Sequence, residues 1–228
     1  MLDFLKEYIE ELVQEGLRKG FWLNYFRALP TLEAMHAYIK SSGIPYLGSG
    51  SSRDVYSIST GKVLKIAINV LDVHHQNTPE INNWAKYKNT GALARIYDWD
   101  EENNYWILME AVRTFEDPDQ MLEETGIPLG FLYDLLRLKR IYTSSKTMEQ
   151  LKQNVLEDAD ILGEDVNVER VKRGFQGYET NPKGKQLIDH FNTLMDLGFD
   201  VDLVNNRHWG VSASGNIVAV DYALLDTE

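Results

Sequence analysis

The sequence predicts an α+β fold in which a small antiparallel β-lobe with one helix lies between a helical N-terminal extension and a reduced helical C-terminal lobe. Residues 1–43 carry apolar side chains at helical spacing, and residues 44–112 alternate as two β-hairpins around one helix. Residues 113–228 are again predicted to be helical, except for a strand-like segment near the end. These three ranges are the predicted domains.

The extension begins with a predicted amphipathic helix, because apolar residues such as Leu5, Ile9 and Leu12 recur on one face. Its polar face is rich in glutamate, which favours packing against the rest of the protein over binding to a membrane surface. A second helix is predicted from Thr31 to Lys40.

The β-lobe has the order strand, strand, helix, strand, strand. The first hairpin turns at Thr60 and Gly61, and the second turns at an acidic, asparagine-rich stretch. Between them the sequence NTPEINNWAKYKN predicts a helix with Thr78 as its cap and Pro79 at its first position. In the C-terminal lobe, helices are predicted in MLEETG, PLGFLYDLLRLKRIY and TMEQLKQNVLEDADIL, and in a last segment that ends at Gly198.

Composition narrows the functional classes. The chain has 228 residues, and its 35 acidic and 23 basic side chains give a net charge of −12. This charge disfavours nucleic acids and anionic membranes as partners. The absence of cysteine excludes disulfides and thiolate chemistry and suits the cytoplasm. No apolar run approaches the roughly 18 residues of a membrane span, so none is expected.

The stretch LGSGSSRDVY contains a glycine pair, Gly48 and Gly50, that is followed by a strand. A Rossmann loop leads into a helix instead, so dinucleotide binding of that kind is disfavoured. The pattern G-x-G-x-x-G-x-V followed by a hairpin and a strand lysine is the protein-kinase signature, and Val55 and Lys65 occupy its later positions. Arg53 replaces the third glycine, and its permanent charge can pair with a phosphate.

A kinase-like lobe also needs a helical glutamate that pairs with the lysine. Glu80 is the available acid, and the alternative is an exposed carboxylate favoured by the helix dipole. A kinase would place a gatekeeper at the end of a strand such as YWILMEAV and then a hinge that binds adenine, which would make Met109 the gatekeeper and residues from Glu110 to Val112 the hinge. The alternative for this strand is a buried edge strand.

Together these stretches resemble the N-lobe of the protein-kinase-like superfamily, and especially the short kinase-like proteins encoded by tailed bacteriophages. The resemblance covers about Leu47 to Val112 and returns at the C-terminus. It implies ATP and Mg²⁺ as cofactors, a nucleotide partner, and a location in the cytoplasm of the host cell if the protein is viral.

The stretch VDLVNNRHWGVSASGNIVAVDYAL resembles a catalytic loop, a hairpin and the D-F-G strand of kinases. The resemblance implies that Asp221 binds the metal. The family's spacing then places His208 where the metal-binding asparagine belongs and Leu203 where the base belongs.

A loop with one extra residue would instead make Asp202 the base, and Asn205 or Asn206 could give the metal an amide oxygen. A neutral histidine can also bind a divalent metal, but imidazole suits zinc or manganese better than magnesium.

Two functional classes remain open at this point. The protein is either an ATP-dependent phosphotransferase acting on a protein or small-molecule acceptor, or a catalytically impaired pseudokinase that binds a host or phage protein.

Two other stretches of the sequence give no comparable indication of a functional site. The adjacent His74 and His75 are expected in a solvated loop, and the acidic EDADILGED lacks the order of an EF-hand.

Overall fold

The computed structural model describes residues 21–145, 147–159, 162, 166–199 and 201–221, with only the backbone for Val201 and Asp202. The predicted helix over residues 1–20 lies outside this part of the chain. The described residues form two compact units. Residues 21–89 and 93–112 belong to the first unit, and residues 90–92 and 113–221 belong to the second.

The first unit is built on an antiparallel sheet with the spatial order β1-β2-β3-β5-β4. Its strands are β1 (Tyr46–Ser49), β2 (Arg53–Ser59), β3 (Lys62–Ala67), β4 (Ile96–Trp99) and β5 (Trp106–Glu110). Two helices precede the sheet, α1 (Leu23–Arg27) and α2 (Leu32–Ser41). Thr31 caps α2 by accepting a hydrogen bond from the Ala34 amide at 3.2 Å, which agrees with the predicted helix start.

The two faces of the sheet have different surroundings. The register pairs Lys65 with both Val55 and Ile107, so these three side chains share one face. The opposite face packs with α1 and α2 in one hydrophobic core, formed by Phe21, Leu23, Phe26, Leu32, Met35, Ile39, Ile44, Tyr56, Ile58, Leu64, Ile66, Trp106 and Leu108. The helices of the extension therefore cover the face that does not carry Lys65.

The helix between β3 and β4 starts earlier than predicted. A helical turn at Val70–Asp72 is capped by Asn69, a π-helical turn follows at Val73–Asn77, and α3 runs over Thr78–Tyr87. The prediction that Thr78 caps this helix is wrong, and so is the loop predicted at His74 and His75, which are exposed residues of the π-turn. The π-turn ends two residues before Pro79, which has no N–H to donate to the preceding turn.

The second unit contains five α-helices in its described part and a three-stranded sheet with the order β6-β7-β8. The helices are α4 (Pro118–Thr125), α5 (Leu129–Ile141), α6 (Met148–Glu157), α7 (Val168–Thr180) and α8 (Pro182–Asp196). The strands are β6 (Val112–Thr114), β7 (Trp209–Ser212) and β8 (Ile217–Ala219). The fold class predicted from the sequence, a small antiparallel sheet with one helix and a helical C-terminal part, is confirmed.

Helix α7 was not among the predicted helices, because Gly174 and Gly177 weaken its helical pattern. Both glycines are needed for close packing. A Cβ at Gly174 would lie 2.2 Å from the ring of Phe131 on α5, and a Cβ at Gly177 would lie 2.3 Å from the carbonyl oxygen of Gly126. Packing in the second unit therefore outweighs the intrinsic cost of glycine in this helix.

Candidate functional site

Lys65 and Glu80 form an ion pair within the first unit. The Lys65 Nζ donates to Glu80 Oε1 at 2.8 Å. The Glu80 side chain is fully buried, and that of Lys65 is 12% exposed. The alternative of an exposed carboxylate at Glu80 is therefore wrong. A buried carboxylate requires such a partner, because an isolated charge in the interior is strongly destabilising.

Arg53 binds the same carboxylate. It is the first residue of β2, and its Nη1 donates to Glu80 Oε2. Its side chain is 8% exposed. Each Glu80 oxygen thus accepts a hydrogen bond from a different cation, and we call Arg53, Lys65 and Glu80 the Glu80 cluster. The sequence predicted a phosphate ligand at Arg53 and gave no indication of this contact.

Helix α3 is also fixed to the turn between β4 and β5. The Asn77 Nδ2 donates to the carbonyl oxygens of Asn104 at 2.7 Å and Tyr105 at 3.0 Å. The Asn104 Nδ2 donates to the Thr78 hydroxyl at 3.1 Å. Asn104 has a φ of 57°, a left-handed conformation that asparagine tolerates better than most residues. The asparagine-rich turn was the sequence signal for this anchor, which was predicted only as a turn.

The glycine turn is closed by backbone hydrogen bonds. The Gly50 N–H donates to the Arg53 carbonyl at 2.9 Å, and the Ile68 N–H donates to the Ser52 carbonyl at 3.0 Å. A Cβ added at Gly48 or Gly50 would meet nothing within 4 Å. Packing among the described residues therefore does not require glycine at either position, whereas the φ of 156° at Gly48 is one that side chains rarely adopt.

Val55 and Met109, which were predicted to contact the nucleotide, lie on the Lys65 face of the sheet. Met109 is buried and pairs with Val63, which is half-buried like Val55. Val63 was not among the predicted residues, although its position two residues before Lys65 puts both side chains on one face of β3. At the predicted hinge, the Glu110 amide donates to the Arg95 carbonyl, and the amide of the next residue is likewise bound within the first unit.

In the second unit, β7 and β8 form the predicted hairpin. Trp209 pairs with Ala219, and the turn contains Gly215 with a φ of 87°. Beyond the hairpin, the Val220 N–H donates to the His208 carbonyl at 2.9 Å. This bond puts His208 beside the residue that precedes Asp221. Both His208 and Asp221 are partly exposed.

Helix α8 holds β8 in place. The Ile217 N–H donates to Gln186 Oε1 at 2.9 Å, and His190 Nδ1 lies 2.7 Å from the Ile217 carbonyl. Because a carbonyl only accepts, His190 carries its proton on Nδ1. Burial lowers the pKa of His190, which favours the neutral imidazole in this structural contact.

The loop before β7 is fixed by contacts of its own. Leu203 is buried, and its carbonyl accepts from the Trp209 indole N–H at 2.7 Å. Asn205 Oδ1 accepts from the Arg207 amide at 3.0 Å. Asn206 is buried, and its Nδ2 donates to the Phe115 carbonyl at 2.7 Å. The side chain of Asp202, the predicted base, lies outside the described part of the chain.

The described residues contain no group of three or more histidine, aspartate and glutamate side chains that could hold a metal ion. His208 and Asp221 are the predicted ligands, and they offer one imidazole nitrogen and one carboxylate. Magnesium prefers oxygen ligands, whereas manganese and zinc accept imidazole. As a pair of ligands, they would fit a transition metal better than the predicted Mg²⁺.

A separate ionic network stabilises the second unit. The carboxylate of Glu124 contacts Arg113 at 2.5 Å and Lys183 at 3.0 Å. The hydrogen bond from Arg113, with that from Lys183, lowers the pKa of Glu124 from 4.5 to about 2.

This shift predicts a pH dependence of stability. Because the pKa of Glu124 is depressed in the folded state, its contribution is present above about pH 4.5 and is lost as the pH falls through about 2. In urea titrations, we expect the free energy of unfolding of wild type to fall by about 1–3 kcal/mol more than that of Glu124→Gln between those pH values. Parallel pH profiles for the two proteins would contradict the prediction. Glu149→Gln, at an exposed site on α6, is the matched control.

The antiparallel sheet and the lysine–glutamate pair are features that the kinase-like resemblance of the sequence leads one to expect. Three solved structures are similar to this chain at low sequence identity. Choline kinase LicA from Streptococcus pneumoniae is 16% identical, with a TM-score of 0.37, over 84% of this chain and 68% of its own. ADP-bound aminoglycoside phosphotransferase APH(2'')-Ib is 13% identical, with a TM-score of 0.39, over 82% and 69%. A ternary complex of APH(2'')-IIa with streptomycin and ATP is 12% identical, with a TM-score of 0.35, over 86% and 71%.

Such low scores assign neither a substrate nor an activity to this chain. No protein-family model matches the sequence, and no curated protein matches it either. Within the part of the chain that the structure describes, no helix is long and apolar enough to cross a membrane. The likeness to phage proteins stays a prediction.

Proposed function

We propose that the protein binds ATP and is a phosphotransferase of the kinase-like type. The observation that carries this proposal is the buried ion pair between Lys65 and Glu80, on the sheet face next to the glycine turn. In this assignment Lys65 binds the nucleotide phosphates, Glu80 orients Lys65, and Gly48 and Gly50 let the backbone approach the phosphates.

The nucleotide base is assigned to the apolar side chains on the same sheet face. Val55, Val63 and Met109 lie there in register with one another or with Lys65. Glu110 and Val112 are the hinge residues of the proposal. Because the Glu110 amide is bonded to Arg95, backbone recognition of adenine would use other groups of this segment.

Asp221 and His208 are assigned to the metal. The bound ion would neutralise the charge that develops on the transferring phosphoryl group. Magnesium is the ion implied by the kinase resemblance, but the imidazole of His208 favours manganese. Manganese also accepts carboxylate and phosphate oxygens, so it suits both ligands.

Proton transfer is the weakest step of the proposed reaction. Leu203, at the family's base position, is buried and has no group that accepts a proton. Asp202 is the proposed base in its place. The leucine also favours a second function, in which the protein is catalytically impaired and uses the fold to bind nucleotide and a host or phage protein.

Nucleotide binding is tested by calorimetric titration with Mg-ATP and Mn-ATP. We expect wild type to bind, and Lys65→Met to lose affinity at least about tenfold, because a cation on the phosphates is removed. Asp221→Asn should lose affinity for the metal complex and keep more of its affinity for ATP with chelator. No binding by wild type would reject the proposal, and His74→Asn is the control.

Catalysis is tested separately, by transfer of the labelled γ-phosphate. Transfer that disappears in Asp202→Asn supports the phosphotransferase with Asp202 as base. Nucleotide binding without transfer in wild type supports the impaired, partner-binding function instead. Transfer that persists in Asp202→Asn would show that another group is the base.

A further inference from the structure

We propose that Arg53 is a positioning residue: it holds the second carboxylate oxygen of Glu80, so that the Lys65–Glu80 pair is assembled before nucleotide binds. The inference rests on the proposed nucleotide binding by Lys65. It differs from the role predicted from the sequence, in which Arg53 contacts a phosphate directly.

The first step is the division of the carboxylate between two cations. Oε1 of Glu80 accepts from Lys65, and Oε2 accepts from Arg53. With each oxygen bound to a different strand residue, rotation of the carboxylate would break a charged hydrogen bond inside the protein. Arginine suits this site because its planar guanidinium stays charged at all relevant pH values.

The second step is the backbone anchorage of Arg53. It pairs with Ala67 at the end of β3, and its carbonyl accepts from Gly50. The neighbouring Ser52 carbonyl accepts from Ile68. The backbone of Arg53 therefore contacts the glycine turn and the end of β3, and its side chain contacts helix α3.

The third step concerns helix α3, which is attached to the rest of the first unit at two points. Asn77 fixes the start of this helix to the β4–β5 turn, and Arg53 fixes Glu80 about one turn further along. A helix held at two points keeps the carboxylate in reach of Lys65 without a ligand. Glycine at position 53, which the kinase pattern has, would offer no side chain for the second attachment.

The first experiment uses the protein without nucleotide. The unfolding constants of wild type, Arg53→Met, Glu80→Gln and the double variant are measured in urea. We expect the effect of the double variant to differ from the product of the single effects by about tenfold, because the two side chains contact each other. Effects that multiply within about twofold would overturn the proposal. Arg53→Met combined with Glu102→Gln, at an exposed turn residue, is the control cycle.

The second experiment measures nucleotide affinity in the same variants. We expect Arg53→Met to weaken ATP binding about tenfold in the wild-type background and less than about twofold in the Glu80→Gln background, because Arg53 acts through Glu80. Arg53→Lys should restore most of the affinity that Arg53→Met loses. An equal loss in both backgrounds would show a direct phosphate contact and overturn the proposal.

The two experiments separate the two claims. If wild type binds no nucleotide, the proposed function fails, and the unfolding cycle still decides whether Arg53 and Glu80 are coupled. If nucleotide binds but the cycle shows no coupling, the proposed function stands and the role of Arg53 is rejected.

Discussion

Replacing Glu80 with alanine is expected to lower the free energy of unfolding by about 3–5 kcal/mol, since removal of one member of a buried ionic cluster is strongly destabilising. The carboxylate is fully buried, and the two cations that it binds are 8% and 12% exposed. Without this carboxylate, Arg53 and Lys65 lose the negative charge that each of them contacts in wild type. Urea unfolding followed by circular dichroism measures the effect.

The matched comparison is Lys65→Met, which removes one cation and leaves Glu80 bound to Arg53. We expect this variant to lose no more than about 2 kcal/mol, because the buried carboxylate keeps a charged partner. Glu101→Ala, at an exposed turn residue, should change stability by less than about 0.5 kcal/mol. Equal losses of unfolding free energy in Glu80→Ala and Lys65→Met would contradict the conclusion that Arg53 and Lys65 share the Glu80 carboxylate.

Replacing His208 with asparagine is expected to change the metal preference. Wild type should bind Mn²⁺ more tightly than Mg²⁺, and the variant should reduce that ratio about tenfold, because an amide oxygen replaces the imidazole nitrogen. The affinity for Mn²⁺ is measured by electron paramagnetic resonance of the free ion in the presence of ATP, and Mg²⁺ is measured by competition.

Two controls accompany this measurement. His74→Asn makes the same substitution at an exposed histidine of the π-turn and should leave the ratio unchanged. Asp221→Asn should weaken the binding of both metals, because its carboxylate is the proposed ligand for either ion. A ratio that does not change in His208→Asn would remove His208 from the metal site.

The β-lobe could be predicted from the sequence because its signals are local. Alternation of side chains gave the strands, and the turn at Gly61 gave the first hairpin. Lys65 and Glu80 could be proposed as partners because a known pattern of elements surrounds them. Helix α7 could not be predicted in the same way, because Gly174 and Gly177 are unfavourable in a helix and serve contacts with other segments.

The sequence by itself predicted the order of strands and helix in the β-lobe, the glycine turn, and Lys65 and Glu80 as partners. The tertiary structure alone decided that Arg53 binds Glu80, 27 residues away in the chain, and that α1 and α2 cover the face of the sheet opposite Lys65. The physical reason is that strand alternation and helical spacing are local properties. The choice of partner for a buried charge depends on which segments the fold brings together.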